Sequence, residues 1–252
     1  MSLITLLTDF GTADGYVGEM KGVIYAMLPQ AQVVDIAHDV APQDVDGARL
    51  AIARYWRRFP LGTTHVVVVD PGVGTSRAAL AVESDGRFLV GPDNGVLSPA
   101  LLRADVRVVE LAIPSQASAT FHGRDVFAPA AARLAGGSPL EALGTTVETP
   151  VLRRTPEAKR LADGTVAGEV ITVDRFGNLI TNLVAPRGGS LVLGDRVVPI
   201  VRSYGDVAAG DIVAVVGSSG LLEIAVRDGS AGARLGVTRG AAVVLRPAPA
   251  GS

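Results

Sequence analysis

Apolar positions in the first 145 residues alternate between short runs and helical spacing. Leu3–Leu7 is a brief apolar run ending in Thr8-Asp9, and Gly15–Met27 then reads as a helix. Val33–Ile36 is short and β-branched. Over Val45–Arg57, the residues Val45, Ala48, Ile52 and Tyr55 fall on one helical side. His65–Val69 is almost continuously aliphatic, the pattern of a strand covered on both faces. Ala79–Val82, Phe88–Val90 and Val106–Leu111 add strands, and Val126–Leu134 a further helix. This alternation predicts a layered, Rossmann-like α/β domain over residues 1–148 with a largely parallel sheet.

The pattern changes after about Gly144. Residues 149–165 (TPVLRRTPEAKRLADGT) mix prolines and basic residues with little apolar periodicity, which predicts a linker. From residue 166 to 252 short strands lie between glycine turns: Glu169–Val173, Leu191–Leu193, Val197–Val201, Ile212–Val216, Leu221–Val226 and Ala242–Leu245. Regular short strands of this kind predict a small C-terminal β-barrel domain.

Composition narrows the function classes. Hydrophobic residues make up 48% and charged residues 19%, so the 252-residue chain has material for real cores and does not read as disordered. A formal net charge of −2 argues against a nucleic-acid partner, which would need a basic excess. There is no cysteine, which removes thiolate metal sites and cysteine nucleophiles and fits a cytoplasmic location. The opening MSLITLLTDFGT has no basic leader, and no apolar run approaches the roughly 20 residues that span a bilayer. A soluble protein without a membrane partner is expected.

Acidic, glycine-rich turns follow several predicted strands: Thr8–Gly11, Asp70–Gly74 and Gly91–Gly95. Ligands of open α/β sheets bind outside the carboxyl ends of strands, so these turns are candidates by position. Gly72-Val73-Gly74 lacks the third glycine of a dinucleotide fingerprint. From spacing alone, Asp70 and Arg77 read as a turn aspartate beside a surface arginine. His122, alone before a helix, reads as structural, and His38 and His65 show no partner pattern. Asp174–Asn182 reads equally as a β-turn with capping asparagines or as a site, and Gly217–Gly220 as a hairpin or a ligand-facing turn.

Taken together and in order, seven segments resemble one family. They are TDFGTADGYVGEMKG (8–22), VVDIAHDVAPQDVDGA (33–48), VVVVDPGVGTSR (66–77), GPDNGVL (91–97), FHGRDVFAPAAA (121–132), DRFGNLITN (174–182) and VGSSGLLEIAV (216–226). The family is the S-adenosyl-L-methionine (SAM) hydroxide adenosyltransferases, or SAM hydrolases, a sister of the fluorinases and chlorinases. The resemblance implies a homotrimer whose active site lies between the N-terminal domain of one subunit and the C-terminal domain of its neighbour. It implies cleavage of SAM into adenosine and methionine by water at the ribose C5′, without a metal or other cofactor.

Carried onto this chain, the resemblance makes Asp70, Arg77 and His122 the catalytic set. Asp9 corresponds to the ribose-binding acid, and Asp14, Gly15 and Tyr16 to the adjoining substrate loop. Asp174 and Asn178 resemble groups that hold the amino-acid and ribose portions. Ser218, Ser219, Glu223 and Val226 stand where adenine and the methionine carboxylate are recognised, and Phe121 and Phe176 are apolar walls. Fluorinase-like members carry hydroxyl residues where this chain has Val73 and Gly123. That difference favours water over a halide. The rival readings are a halide-using SAM adenosyltransferase and a non-catalytic adenosine- or SAM-binding trimer.

Overall fold

A computed structural model describes residues 2–184 and 189–246. The chain divides into two compact units, Met1–Arg154 and Thr155–Ser252.

The first unit runs β1 (Leu3–Thr8), α1 (Tyr16–Met27), β2 (Gln32–Ala37), α2 (Val45–Tyr55), β3 (Thr64–Val68), β4 (Ala79–Ser84), β5 (Arg87–Pro92), α3 (Ser98–Leu101), β6 (Val106–Leu111), α4 (Ala128–Ala135) and β7 (Gly144–Thr146). Its single sheet has the order β2-β1-β3-β5-β4-β6-β7. The β2-β1, β1-β3 and β3-β5 pairs are parallel, whereas β5-β4, β4-β6 and β6-β7 are antiparallel. The expected largely parallel sheet is therefore parallel over only half its width. The reversal begins at Asp85-Gly86, where φ is 45° and 67°. Two consecutive left-handed residues make the tight turn that joins antiparallel neighbours, so β4 and β5 form a hairpin with Ser84 opposite Arg87.

Both faces of this sheet are covered. Along β1 and β3 the residues Ile4, Leu6, Val66 and Val68 enter one core with Met20 and Ile24 of α1 and Ala131 of α4. Leu7, Val67 and Val69 enter the other with Ile52 and Trp56 from the α2 side. A strand that must bury alternate residues in two cores is apolar throughout, as Val66–Val69 is. The helix expected from Val126 begins instead at Ala128, because Gly123–Phe127 forms a π-helical turn ahead of it. No helix among the described residues is long and apolar enough to cross a membrane.

The second unit contains β8 (Lys159–Arg160), β9 (Val166–Val173), β10 (Leu179–Val184), β11 (Ser190–Leu193), β12 (Arg196–Pro199), β13 (Ile212–Val216), β14 (Leu221–Val226), a short helix α5 (Ala231–Leu235) and β15 (Ala242–Arg246). The order is β12-β11-β15-β9-β10-β14-β13, with β8 paired to β9. A bridge from Ile200, just past β12, to Ala214 of β13 brings the two ends of this order together, so the sheet is nearly a closed barrel. Val170, Leu179, Leu191, Leu222, Ile224 and Val243 fill its interior. The stretch expected as a linker is shared out. Val151 and Arg153 bond to the first unit through Asp93 and Ser98, while Lys159 and Arg160 pair with β9.

Candidate active site

The four parallel strands of the first unit end on the same side. Thr8 of β1 lies opposite Val68 of β3, so Asp9 and Asp70 leave neighbouring strands at the same end. His38 follows β2 and Asp93 follows β5, each at the carboxyl end of its strand. This is where open α/β sheets hold ligands.

Asp70, Arg77 and His122 are brought into one hydrogen-bonded set. Arg77 Nε donates to both Asp70 oxygens at 3.0 Å, and its Nη2 forms a further ion pair with Oδ2. The two side chains are only 4% and 10% exposed, Asp70 and Arg77 respectively. Arg77 is thus no surface arginine. Asp70 does also act as a turn residue, because its Oδ1 accepts from Gly72 N at 3.2 Å. The loop can approach His122 because Gly74 has no side chain: a Cβ there would lie 2.2 Å from the Ala119 carbonyl oxygen, and φ is +75°.

Arg77 Nη2 also lies 2.9 Å from His122 Nδ1. A guanidinium has donors only, so Nδ1 is the acceptor and the ring proton sits on Nε2. Burial, and next to it the Arg77 charge, holds His122 below the ordinary histidine pKa. His122 is therefore a neutral ring with one N–H left to donate.

Beside Gly123, the residue after His122, stands a cluster of aromatic rings. Phe10, Tyr16 and Phe121 meet edge to face with centroids 5.3–6.0 Å apart. A Cβ on Gly123 would lie 3.2 Å from Met20 Sδ and Phe121 Cε2 and 3.3 Å from Phe10 Cε2, so the rings leave little room for any side chain. Arg124 covers the Phe121 ring at 4.9 Å and is held by Asp125 and Glu19. Asp14 is exposed, and Gly15 at φ 78° opens α1.

Asp9 is held from the loop between β2 and α2. Its Oδ2 accepts from Gln43 N at 2.8 Å. His38, which had shown no partner pattern, has partners on two sides. Its Nδ1 is 2.9 Å from Thr8 Oγ1 and its carbonyl accepts from Gly11 N at 2.8 Å. Its Nε2 is within 3.0 Å of Asp35 Oδ1 but off the N–H axis. Burial opposes ionisation of Asp35, yet the hydrogen bond from Lys21 and the proximity of His38 bring its carboxyl below the usual range. The Thr8 and Gly11 partners of His38 come from β1 and the loop after it, contacts that spacing does not carry.

In the second unit Asp174 closes the β9–β10 turn. Its Oδ1 accepts from Phe176 N and Asn178 N at 2.9 and 2.8 Å, and Asn178 Nδ2 donates to its Oδ2 at 3.1 Å. Phe176 is 77% exposed on this unit. Ser218 and Ser219 are exposed in the β13–β14 turn. Behind them the buried Glu223 carboxylate occupies the place where a Cβ of Gly217 would be, 1.6 Å from Oε1. Tyr204, absent from the sequence-based candidates, donates to Glu223 Oε2 at 3.3 Å, and burial together with that carboxylate raises its pKa. The Val226 side chain lies in the core of the barrel.

Comparison with known proteins agrees in both units. Residues 4–144 match the SAM hydroxide adenosyltransferase N-terminal domain, and residues 168–244 the C-terminal domain of the same name. An (R)-S-adenosyl-L-methionine hydrolase of Thermus thermophilus is 45% identical, covering 97% of this chain and 100% of its own. A fluorinase of Actinopolyspora mzabensis is more distant, at 28% identity over 88% of this chain and 90% of its own. The crystal structure of an uncharacterized conserved protein from Thermotoga maritima superposes with a TM-score of 0.87 at 35% identity, covering 96% and 99% of the two chains.

Proposed function

Because this chain belongs to the SAM hydroxide adenosyltransferase family, we propose that it hydrolyses S-adenosyl-L-methionine to adenosine and L-methionine by adding water at the ribose C5′. The observation that carries the reading is the buried, contiguous Asp70–Arg77–His122 set at the strand ends.

The sulfonium is already a good leaving group, so no acid has to protonate it. The demanding partner is water, whose pKa in bulk is about 15.7. In the proposed step the water oxygen bonds to C5′, the C–S bond breaks with its electron pair going to sulfur, and the water proton passes to Asp70. His122 is the poorer base. Protonating Nδ1 would set an N–H against the Arg77 N–H and a cation beside a cation. His122 instead donates from Nε2 and orients the water, and Arg77 holds Asp70 and His122 in register. The step destroys opposite charges, which a dry site of low dielectric favours.

Asp9, Asp14, Gly15, Tyr16, Phe121 and Gly123 are proposed as the ribose and substrate wall of the first unit. Asp174, Phe176, Asn178, Ser218, Ser219, Glu223 and Val226 are proposed as the second unit's contribution, supplied by a neighbouring subunit of a homotrimer. The parallel half of the first sheet is read as Rossmann-like, and a cytoplasmic location, with which the cysteine-free sequence is compatible, is proposed. The Thermus relative's name specifies the R sulfonium, and the same preference is proposed here.

Incubation with each sulfonium epimer in ¹⁸O-labelled water, with and without chloride, tests these readings. Adenosine labelled at the 5′ oxygen, beside methionine, is expected. A halogenated nucleoside would move the chain to the halide-using branch, against which the tight surroundings of Gly123 speak. Stoichiometric binding without turnover would make it a sensor. Light scattering tests the trimer.

A further inference from the structure

The turn Gly91–Gly95 is a strand-end motif to which the proposed chemistry gives no role. Its position is nevertheless specific. Asn94 Nδ2 donates to the Val69 carbonyl at 2.9 Å, and Asn94 Oδ1 accepts from Val96 N at 3.1 Å. Since a backbone N–H only donates and a carbonyl only accepts, the two bonds fix which way the amide points. One residue earlier, Asp93 N donates to the Ala78 carbonyl at 2.8 Å. Val69 immediately precedes Asp70, and Ala78 immediately follows Arg77. Two consecutive residues of one turn therefore hold both ends of the loop that carries Asp70 and Arg77, while residues 74–76 between them are exposed.

The turn is itself anchored. Asp93 Oδ1 accepts from Val151 N at 2.8 Å, Arg153 Nε donates to the Asn94 carbonyl at 2.9 Å, and Arg153 N donates to Ser98 Oγ at 2.8 Å. Ser98 Oγ in turn donates to the Gly95 carbonyl at 2.7 Å. Gly91 lets the turn start close to β3, because a Cβ there would lie 2.4 Å from the Val67 carbonyl oxygen. Val69 lies one residue past the end of β3, so the Asn94 amide carries the alignment of the strand on to the residue that bears the catalytic carboxylate.

We propose that Asn94 is a positioning residue for Asp70, acting through the Val69 carbonyl; this rests on the hydrolase reading above. The amide does not touch the reacting atoms. It sets where the Asp70 backbone leaves the sheet, and with it the distance from carboxylate to water. Misplacing a catalytic group by an ångström costs on the order of 100-fold in rate.

The test is Asn94→Asp, which keeps the size and the acceptor for Val96 N but sets an oxygen against the Val69 carbonyl. Its kcat for SAM hydrolysis should fall roughly 10- to 100-fold, with KM and adenosine affinity within about twofold of wild type. In an Asp70→Asn background the same change should alter the residual rate by less than about twofold, because the group it positions is gone. Asn94→Ala, free of added charge, should reproduce the loss and also shift the ¹⁵N resonance of His122 Nδ1, a readout that needs no turnover. An unchanged kcat and unmoved His122 resonance in both variants would overturn the proposal, as would an equal loss in the Asp70→Asn background. Wild-type turnover in the same assay answers separately for the hydrolase reading.

Discussion

Thr5 Oγ1 lies 2.8 Å from Nδ1 of His65, on paired strands in the middle of the first sheet. His65 is fully buried, with Tyr55 and Phe59 packed edge-on against its ring. Burial first, then the Arg87 charge, lowers its pKa to about 4 from 6.5. The folded protein holds this ring neutral while the unfolded chain takes up the proton. Its contribution to stability is complete above about pH 6.5 and is lost as pH falls to 4, by about 3 kcal/mol. Urea unfolding between pH 4 and 7 should show that slope. His65→Phe should be less stable at neutral pH, because Thr5 loses its partner, and should lack this part of the slope.

The neutral His122 ring makes a second prediction. A donor can be replaced by an amide and a base cannot. His122→Gln should keep a measurable fraction of the wild-type kcat, about 1–10%, whereas His122→Phe should lose about 10²- to 10⁴-fold. Equal loss in the two variants would return the proton-accepting role to His122.

Asp70 is predicted to be indispensable for turnover and dispensable for the nucleoside. Asp70→Ala should lower kcat about 10²- to 10⁴-fold with adenosine binding retained, as read by calorimetry. It also leaves the largely buried Arg77 without its carboxylate, a loss on the order of 3 kcal/mol. Asp70→Asn should show the same kinetic loss with a smaller fall in melting temperature. Turnover near wild type in either variant would remove Asp70 from the mechanism.

Gly74→Ala should act through the loop rather than through chemistry. The added Cβ meets the Ala119 carbonyl oxygen at 2.2 Å in a left-handed backbone, and the cost should exceed about 1 kcal/mol. Separation of the Asp70–Arg77 loop from His122 should lower kcat as well as melting temperature. A variant with unaltered melting temperature would show that the close approach at Ala119 is not needed.

Much of the fold could be read along the chain. The helices at 16–27 and 45–55 and the strands β1, β3 and β6 lie where apolar spacing predicts them, since each must bury one face or two. The Asp85-Gly86 hairpin went unread, because the alternation of elements alone suggested continued parallel pairing. β10 was hidden inside a motif read for its asparagines, of which Asn178 serves the turn before it and Asn182 bonds Glu169 N and the Pro156 carbonyl. For the site, ordered motifs named Asp70, Arg77 and His122, but Asn94, His38 and Arg124 stood inside those motifs without a visible task.

What the amino-acid sequence determined by itself was most of the strands and helices, and family membership. Those properties are local or additive: apolar periodicity, turn chemistry and motif order are written residue by residue. Tertiary structure alone decided strand direction beyond β5, the contact of Arg77 with His122 across 45 residues, and that of Thr5 with His65 across 60. A period of two tells a strand which residues to bury but not which way its neighbour runs. A hydrogen bond between distant side chains depends on where the whole sheet places their backbones. The tautomer of His122, and with it the division of labour proposed for the catalytic set, exists only once that placement is made.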